Sequence, residues 1–424
     1  MLRIAELSLP LDYNEKKLRQ EVSRRLRVPE SCIQSLTLSR RSVDARKKGN
    51  IRFICTVDLE LSIPESPILN QKEKYKATEV KPYAYQLPKG KPFPLRPVII
   101  GSGPAGLFAA LVLAQGGHCP IVLERGRDVD RRTADVRAFW NNGLLDPACN
   151  VQFGEGGAGT FSDGKLNTGT KDGRARKVLE EFAAAGAPQE ILYAAKPHIG
   201  TDHLRHTVKN LRKKIIKLGG DVRFESTVTD ISSRNGQLNS VTVQPQSGAP
   251  YRIETRHVIL AIGHSARDTF EWLFRLRLPM EPKPFSVGAR IEHLQEAIDR
   301  AQYGAFAGHP ALGAADYKLA VHLPNGRGVY TFCMCPGGEV VAAASEENRL
   351  VTNGMSEFAR NGRNANSALL VGITPEDFAS EHPLSGIHFQ RDLEEKAFAL
   401  GGGGYRAPAQ RVEDFLKNKP SLRY

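Results

Sequence analysis

Three glycines in G-S-G-P-A-G, at positions 101, 103 and 106, have the spacing of a strand-to-helix turn that binds a dinucleotide. Each has a separate task there: Gly101 permits the tight turn, Gly103 lets the backbone approach a pyrophosphate, and Gly106 lets the helix pack closely on the strand. A helix amino terminus then offers unpaired N–H groups and a positive dipole end to the anion. Glu124 follows 23 residues after Gly101, at the close of the next apolar run, where a carboxylate can accept hydrogen bonds from ribose hydroxyls. The turn residues Gly101, Ser102, Gly103, Pro104, Ala105 and Gly106, with Glu124 and Arg125, therefore form the first candidate site. Its alternative is a bland glycine-rich turn.

Other chemistry-bearing residues lie downstream. A glycine-rich loop at 154–166 includes Gly157, Ser162, Asp163, Gly164 and Lys165. Its glycines allow close approach to a flat ring, and a lysine there would stabilise an anionic reduced cofactor; the alternative is a solvated surface loop. Cys333 and Cys335 form C-M-C, and in a flat strand their thiols would share one side. They read either as a dithiol or as small buried side chains. His264 serves near a cofactor or caps the next helix with Ser265, and His198 in P-H-I-G-T-D is a further candidate. No His, Cys, Asp or Glu cluster has metal-ligand spacing, and neither a G-x-S-x-G elbow nor a P-loop is present.

The elements around the first site explain an odd feature. Pro97 to Leu123 is 27 residues without a charge, long enough to mimic a membrane span. Its glycines and prolines divide it better into a strand at 96–100, a helix from Pro104 to Gln115 and a strand at 121–123. Strands buried on both faces of a parallel sheet carry no charge. Further on, Leu204, Val208, Leu211, Ile215 and Leu218 mark one face of a helix over 203–218. Its lysines and arginines read as a solvated face. Strands are then expected at Val222–Ile231, Leu238–Val243 with a turn at Asn235-Gly236, Tyr251–Ile253, and in H-V-I-L-A-I-G at 257–263.

This order resembles the FAD-binding domain of glutathione-reductase-like flavoproteins. The resemblance implies FAD as cofactor, places Val228 against adenine, and brings Ala261 and Gly263 close to the cofactor. The 154–159 glycines lack a strand-to-helix frame, so a second, NAD(P)-binding Rossmann domain is not expected. F-G-E-G-G-A-G-T-F-S-D-G-K-L (153–166), A-I-G-H-S-A-R-D (261–268), F-S-V-G-A-R-I-E-H (285–293), Y-T-F-C-M-C-P-G-G (330–338) and T-N-G-M-S (352–356) together are similar to the uncharacterised FAD-dependent dehydrogenases of bacteria. That family implies an FAD-dependent oxidoreductase with a small-molecule substrate and an unidentified electron acceptor. It also sends its carboxy terminus back into the FAD domain, and no such strand-turn-helix is recognisable after Gly404.

The fold class expected is thus α/β with α+β: a Rossmann-like FAD domain at 96–280, a small basic βαββ domain at 1–63, a Pro/Lys-rich linker at 64–95, and an inserted family-specific α+β domain at 281–424 on the substrate side. In the first domain a strand over 3–10, a helix over 14–26, and strands over 34–42 and 51–61 surround a basic turn at 46–50. Of the net charge of +13 on 424 residues, the first 95 supply 19 basic and 11 acidic side chains. That imbalance admits one alternative function, an RNA-associated flavoprotein that docks nucleic acid through this domain. The basic turn has no aromatic stacking partners, which favours a solubilising hairpin tip. Six cysteines without a disulfide or CxxC framework, and a start without an apolar signal core, point to a reducing, cytoplasmic location.

Overall fold

The computed structural model describes residues 1–88 and 90–422. Its amino-terminal part pairs β1 (Leu2–Leu9), β2 (Ile33–Asp44), β3 (Arg52–Leu61) and β4 (Ala77–Glu79) in the order β2-β3-β1-β4. The helix Glu15–Leu26 packs on this sheet through Leu18, Val22 and Leu26, and Asn14 caps it by accepting from the Lys17 N–H at 2.9 Å. β4 corrects only the first half of the expected linker, since residues 80–88 and 90–95 form neither helix nor strand. Two single-turn helices at Ser66–Leu69 and Lys72–Tyr75 lead into β4, burying Ile68, Tyr75 and Ala77, and it pairs antiparallel with β1. Three apolar anchors are enough to fix a segment whose composition is otherwise polar.

The first domain is not separate from the last region either. Its core, built on Leu2, Ile4, Val57 and Leu59, also takes in Tyr303 and Ala315. Arg41 exchanges backbone hydrogen bonds with Tyr193 and Ala195, at 2.7 and 2.9 Å, tying β2 to the central region as well.

The central sheet is parallel. β5 (Val98–Ile100), β6 (Ile121–Leu123), β7 (Asp221–Arg223) and β11 (Val258–Leu260) follow the order β11-β5-β6-β7. β5 and β6 are buried throughout, as their uncharged sequence requires. The helix Pro104–Gln115 packs against the helix Thr201–Lys217, with Leu107, Ala110 and Leu111 meeting Leu204, Val208, Leu211 and Ile215. Of the expected apolar face only Leu218, beyond the helix end, is exposed. Cations on the outer face pair with acids of neighbouring elements: Lys209 with Asp130 at 2.6 Å, Arg212 with Glu155 at 2.9 Å, and Lys214 with Glu181. The strand expected over 222–231 is two strands. Glu225, at φ +53°, turns the chain out of β7 into β8 (Ser226–Arg234), which joins β9 (Gln237–Pro245) and β10 (Tyr251–Glu254) in an antiparallel sheet.

The last region is built on the antiparallel order β12-β17-β14-β13, from Phe285–Leu294, Asn364–Ile373, Gly328–Cys335 and Ala320–His322. The hairpin of β15 (Glu339–Ala343) and β16 (Val351–Met355) packs Ala343 and Ala344 against Val136 and Phe139 of the helix Val129–Asn142 and against Phe161. The boundary expected at residue 281 is therefore bridged by a shared core.

Candidate functional site

The G-S-G-P-A-G turn forms as its spacing requires. A methyl group on Gly106 would lie 1.9 Å from the Gly101 carbonyl oxygen, and one on Gly101, at φ +101°, would lie 2.5 Å from the Ala261 carbonyl oxygen. Strand, turn and helix can close together only with hydrogen at both positions. Gly103 is the N-cap of the helix Pro104–Gln115, and no side chain caps it. Its open side faces only the Gly157 Cα, 3.9 Å from where a Cβ would stand.

These two glycine segments border a chamber of about 570 Å³, a volume usual for a cofactor or small-molecule site. Gly101, Gly103, Pro104 and Ala105 line one side, and Gly157, Ala158 and Gly159 another. Glu124, Arg125 and Val228 line it as well, as do Ala261, Gly263 and His264. Of the sequence candidates, Ser102 is fully buried behind the turn and Gly106 serves helix packing. The residues fit FAD. An uncapped helix end, a glycine floor without side chains and an adjoining strand at Val228 are the features an extended dinucleotide needs.

Glu124 is engaged differently from the expectation. One carboxylate oxygen accepts from Ser102 N and Oγ at 2.8 and 2.7 Å, the other from the N–H groups of Gly126 and Gly154 at 2.9 and 3.2 Å. These four bonds clamp both glycine turns to the end of β6. Arg125 forms part of the wall, stacked 4.6 Å from the Phe153 ring centroid and bonded to Asp268 and Thr269. The helix Arg267–Arg275 begins with Ala266 as N-cap and has no side-chain cap, so His264 and Ser265 do not cap it; His264 stands exposed on the chamber lining.

Sequence reasoning missed Arg132. It is fully buried and donates to four loop carbonyls, of Asn150 (2.9 Å), Val151 (2.9 Å), Gly154 (3.3 Å) and Glu155 (2.6 Å). Burial lowers its pKa to about 10. The V-D-R-R run at 129–132 offered no signal, because every partner belongs to a different segment.

Beyond Gly159 the loop leaves the chamber. Asp163, with no exposure, pairs with Lys165 at 2.9 Å and with Arg360 at 3.0 Å, and accepts from Ser356. Burial alone would push its carboxyl up, but Arg360 and Lys165 outweigh burial and hold it at about 2. Neither Ser162, Asp163, Gly164 nor Lys165 lines the chamber. Lys165 instead approaches Cys335 Sγ at 3.8 Å, and Arg290 approaches the same sulfur at 3.8 Å. His198 bonds the Phe358 carbonyl at 3.0 Å and stacks on that ring; burial lowers its pKa, with Arg360 adding to the effect. Among the described residues no group of three His, Cys, Asp or Glu side chains could hold a metal, and no helix is long and apolar enough to cross a membrane.

Residues 284–424 match the model of an FAD-dependent protein, C-terminal domain-like family, and residues 1–60 match a domain of unknown function. An uncharacterized protein of Clostridium beijerinckii is 47% identical over all 424 residues, which span 79% of its length. Among solved structures, THI4 of Thermovibrio ammonificans aligns at 18% identity and TM-score 0.30, over 44% of this chain and 64% of that one. A flavoprotein/dehydrogenase from Cytophaga hutchinsonii aligns at 15% and 0.33, over 71% and 62%. The chain thus spans less than two thirds of these solved chains. With 47% identity along its whole length, the chain belongs to the family of the Clostridium beijerinckii protein, and by the FAD-dependent domain it carries its cofactor is FAD.

Proposed function

We propose that the protein is an FAD-dependent oxidoreductase that moves a hydride or an electron pair between a small-molecule substrate and bound FAD. The observation that carries this reading is the uncapped helix end at Gly103, which faces the second glycine segment at Gly157 across one chamber. Gly101 to Ala105 would hold the pyrophosphate, the β8 backbone at Val228 the adenine, and Ala261, Gly263 and Gly157 the rest of the extended cofactor. Glu124 serves this binding indirectly, by fixing both turns. FAD, when bound, supplies the two-electron chemistry; the protein supplies position, charge and exclusion of water.

Residues of the last region, around 281–400, form the proposed substrate side. His264, on the lining beside Gly263, is placed to hold or move a proton at its imidazole nitrogen. The RNA-docking alternative gains no support from the basic hairpin tip, where Arg46 is paired with Asp44 at 2.6 Å.

The test is anaerobic. Reduced, FAD-loaded protein is mixed with a panel of two-electron acceptors, and oxidised protein with candidate alcohols, amines and unsaturated acids, while the flavin band is followed. Turnover with one acceptor and one donor supports the reading. A flavin that no partner reduces or reoxidises would overturn it in favour of a binding protein.

A further inference from the structure

We propose that Cys333 and Cys335 form a second reactive centre, a peroxide-sensitive dithiol in which Cys333 is the attacking sulfur and Cys335 the resolving one. The proposal does not rest on bound FAD.

The backbone places the pair. β14 slips its register against β17 between Phe332 and Cys335, and Cys333 sits in this bulge at φ +47°, a conformation that a residue with a side chain adopts only at a cost. Bulges re-aim side chains, and here the Cys335 thiol turns back to donate to the Cys333 carbonyl oxygen at 3.3 Å. Exposure divides them: Cys335 is completely buried, whereas Cys333 is only partly covered. An accessible attacking sulfur beside a sheltered partner is the division of labour that dithiol chemistry requires.

Two cations lie against the pair, on the side of the resolving sulfur. Lys165 and Arg290 converge on Cys335 Sγ, and Arg290 also donates to the Cys333 carbonyl at 2.8 Å and to Asn366 Oδ1 at 2.8 Å. Space is made for them at Gly354, where a methyl group would lie 2.3 Å from the Arg290 guanidinium, 2.5 Å from Asn366 Oδ1 and 2.7 Å from Cys335 Sγ. Asn366 itself has no exposure, and its Nδ2 has no acceptor among the described residues, a buried donor left over beside the sulfurs. The Cys335 thiol, then Lys165 and Arg290, lower the Cys333 pKa against burial and Asp163, while Cys335 is raised by its neighbour and by burial. Small buried cysteines that merely fill a strand need neither two cations nor a glycine gap.

A small uncharged oxidant of the peroxide class suits a partly covered sulfur. The Cys333 thiolate attacks hydrogen peroxide: an S–O bond forms, the O–O bond breaks, and the departing hydroxide takes up a proton to leave as water. Sulfur is oxidised by two electrons to the sulfenic acid. Cys335 then attacks that sulfur; the S–S bond forms, the S–O bond breaks, and the Cys335 proton leaves with the oxygen as a second water. The net change consumes one thiolate, one thiol, one peroxide and one proton, and gives a disulfide and two waters. A dithiol reductant reverses it.

The whole chain, reduced and desalted, is treated with hydrogen peroxide, alkylated and analysed as peptides. The expected result is a loss of two hydrogen masses from the peptide holding residues 333–335, with Cys32, Cys55, Cys119 and Cys149 still alkylated after unfolding. In Cys335→Ser the sulfenic acid at Cys333 should be trapped by dimedone, and in Cys333→Ser no trapping should occur at Cys335. Lys165→Met should raise the Cys333 pKa and slow its oxidation, by about tenfold for each unit that the pKa comes to lie above the working pH. Should that variant misfold, the wild-type and Cys335→Ser results decide. Full alkylation of Cys333 and Cys335 after peroxide, or trapping at Cys335 in place of Cys333, would overturn the proposal.

Discussion

Gly101 carries the most local requirement of the chamber. Its positive φ and the 2.5 Å approach to Ala261 mean that Gly101→Ala strains the turn and displaces β11 from β5. FAD retention should fall by at least about tenfold, as for the loss of about 1.4 kcal/mol, read from flavin absorbance after gel filtration. Asp163 makes a second prediction. Its folded pKa of about 2 lies below the ordinary 3.8, so its stabilisation is present above about pH 4 and is lost as pH falls towards 2. Asp163→Asn should therefore remove about 2 kcal/mol at pH 7 and flatten the acid limb of stability against pH, measured by urea unfolding at several pH values. At this scale the sequence was informative about identity and less so about direction. The types and spacing of Gly101, Gly103 and Glu124, and the resemblance for Ala261 and Gly263, led to one chamber, but Lys165 is held by Asp163 instead of lining it, because its direction depends on Arg360 and Ser356, nearly two hundred residues away.

Elements were legible where the local signal and the burial agree. The helix Pro104–Gln115 and the strand at 121–123 fall where glycine and proline bounded an uncharged run. The break at Glu225 was not legible, since a non-glycine residue at positive φ leaves no compositional trace, and so one strand became two that serve different sheets. The loop at 150–155 owes its shape to Arg132 of the neighbouring helix, a dependence no local pattern reveals. Arg132→Leu leaves four carbonyls without their donor in a dry site and should destabilise the protein by about 3 kcal/mol or more. Because Gly154 also bonds Glu124, the same variant should weaken FAD retention. Urea denaturation and flavin content, measured side by side, check both effects; an intact loop with unchanged stability would mean that other donors replace the guanidinium.

On the scale of the whole molecule, the regions share cores. Tyr303 belongs to the last region, yet packs within the amino-terminal core, and burial raises its pKa to about 12. Tyr303→Ala should cost about 3 kcal/mol, in the range of large-to-small core substitutions. It should shift the same thermal transition as Leu59→Ala, whereas independent domains would show two transitions that move separately. The sequence divided the chain at residue 63, where a Pro/Lys-rich stretch begins, and at 281, where the family resemblance places a family-specific domain. The structure joins it across both places, through Ala77 in the first sheet and through Ala343 and Ala344 against Val136 and Phe139.

The most direct test of the central claim is FAD binding by the purified protein, followed by absorbance and by release of the flavin on heating. The chamber predicts retained or readily bound FAD at about one per chain, with Gly101→Ala markedly depleted although folded. A folded wild-type protein that neither carries flavin nor binds added FAD would contradict the account.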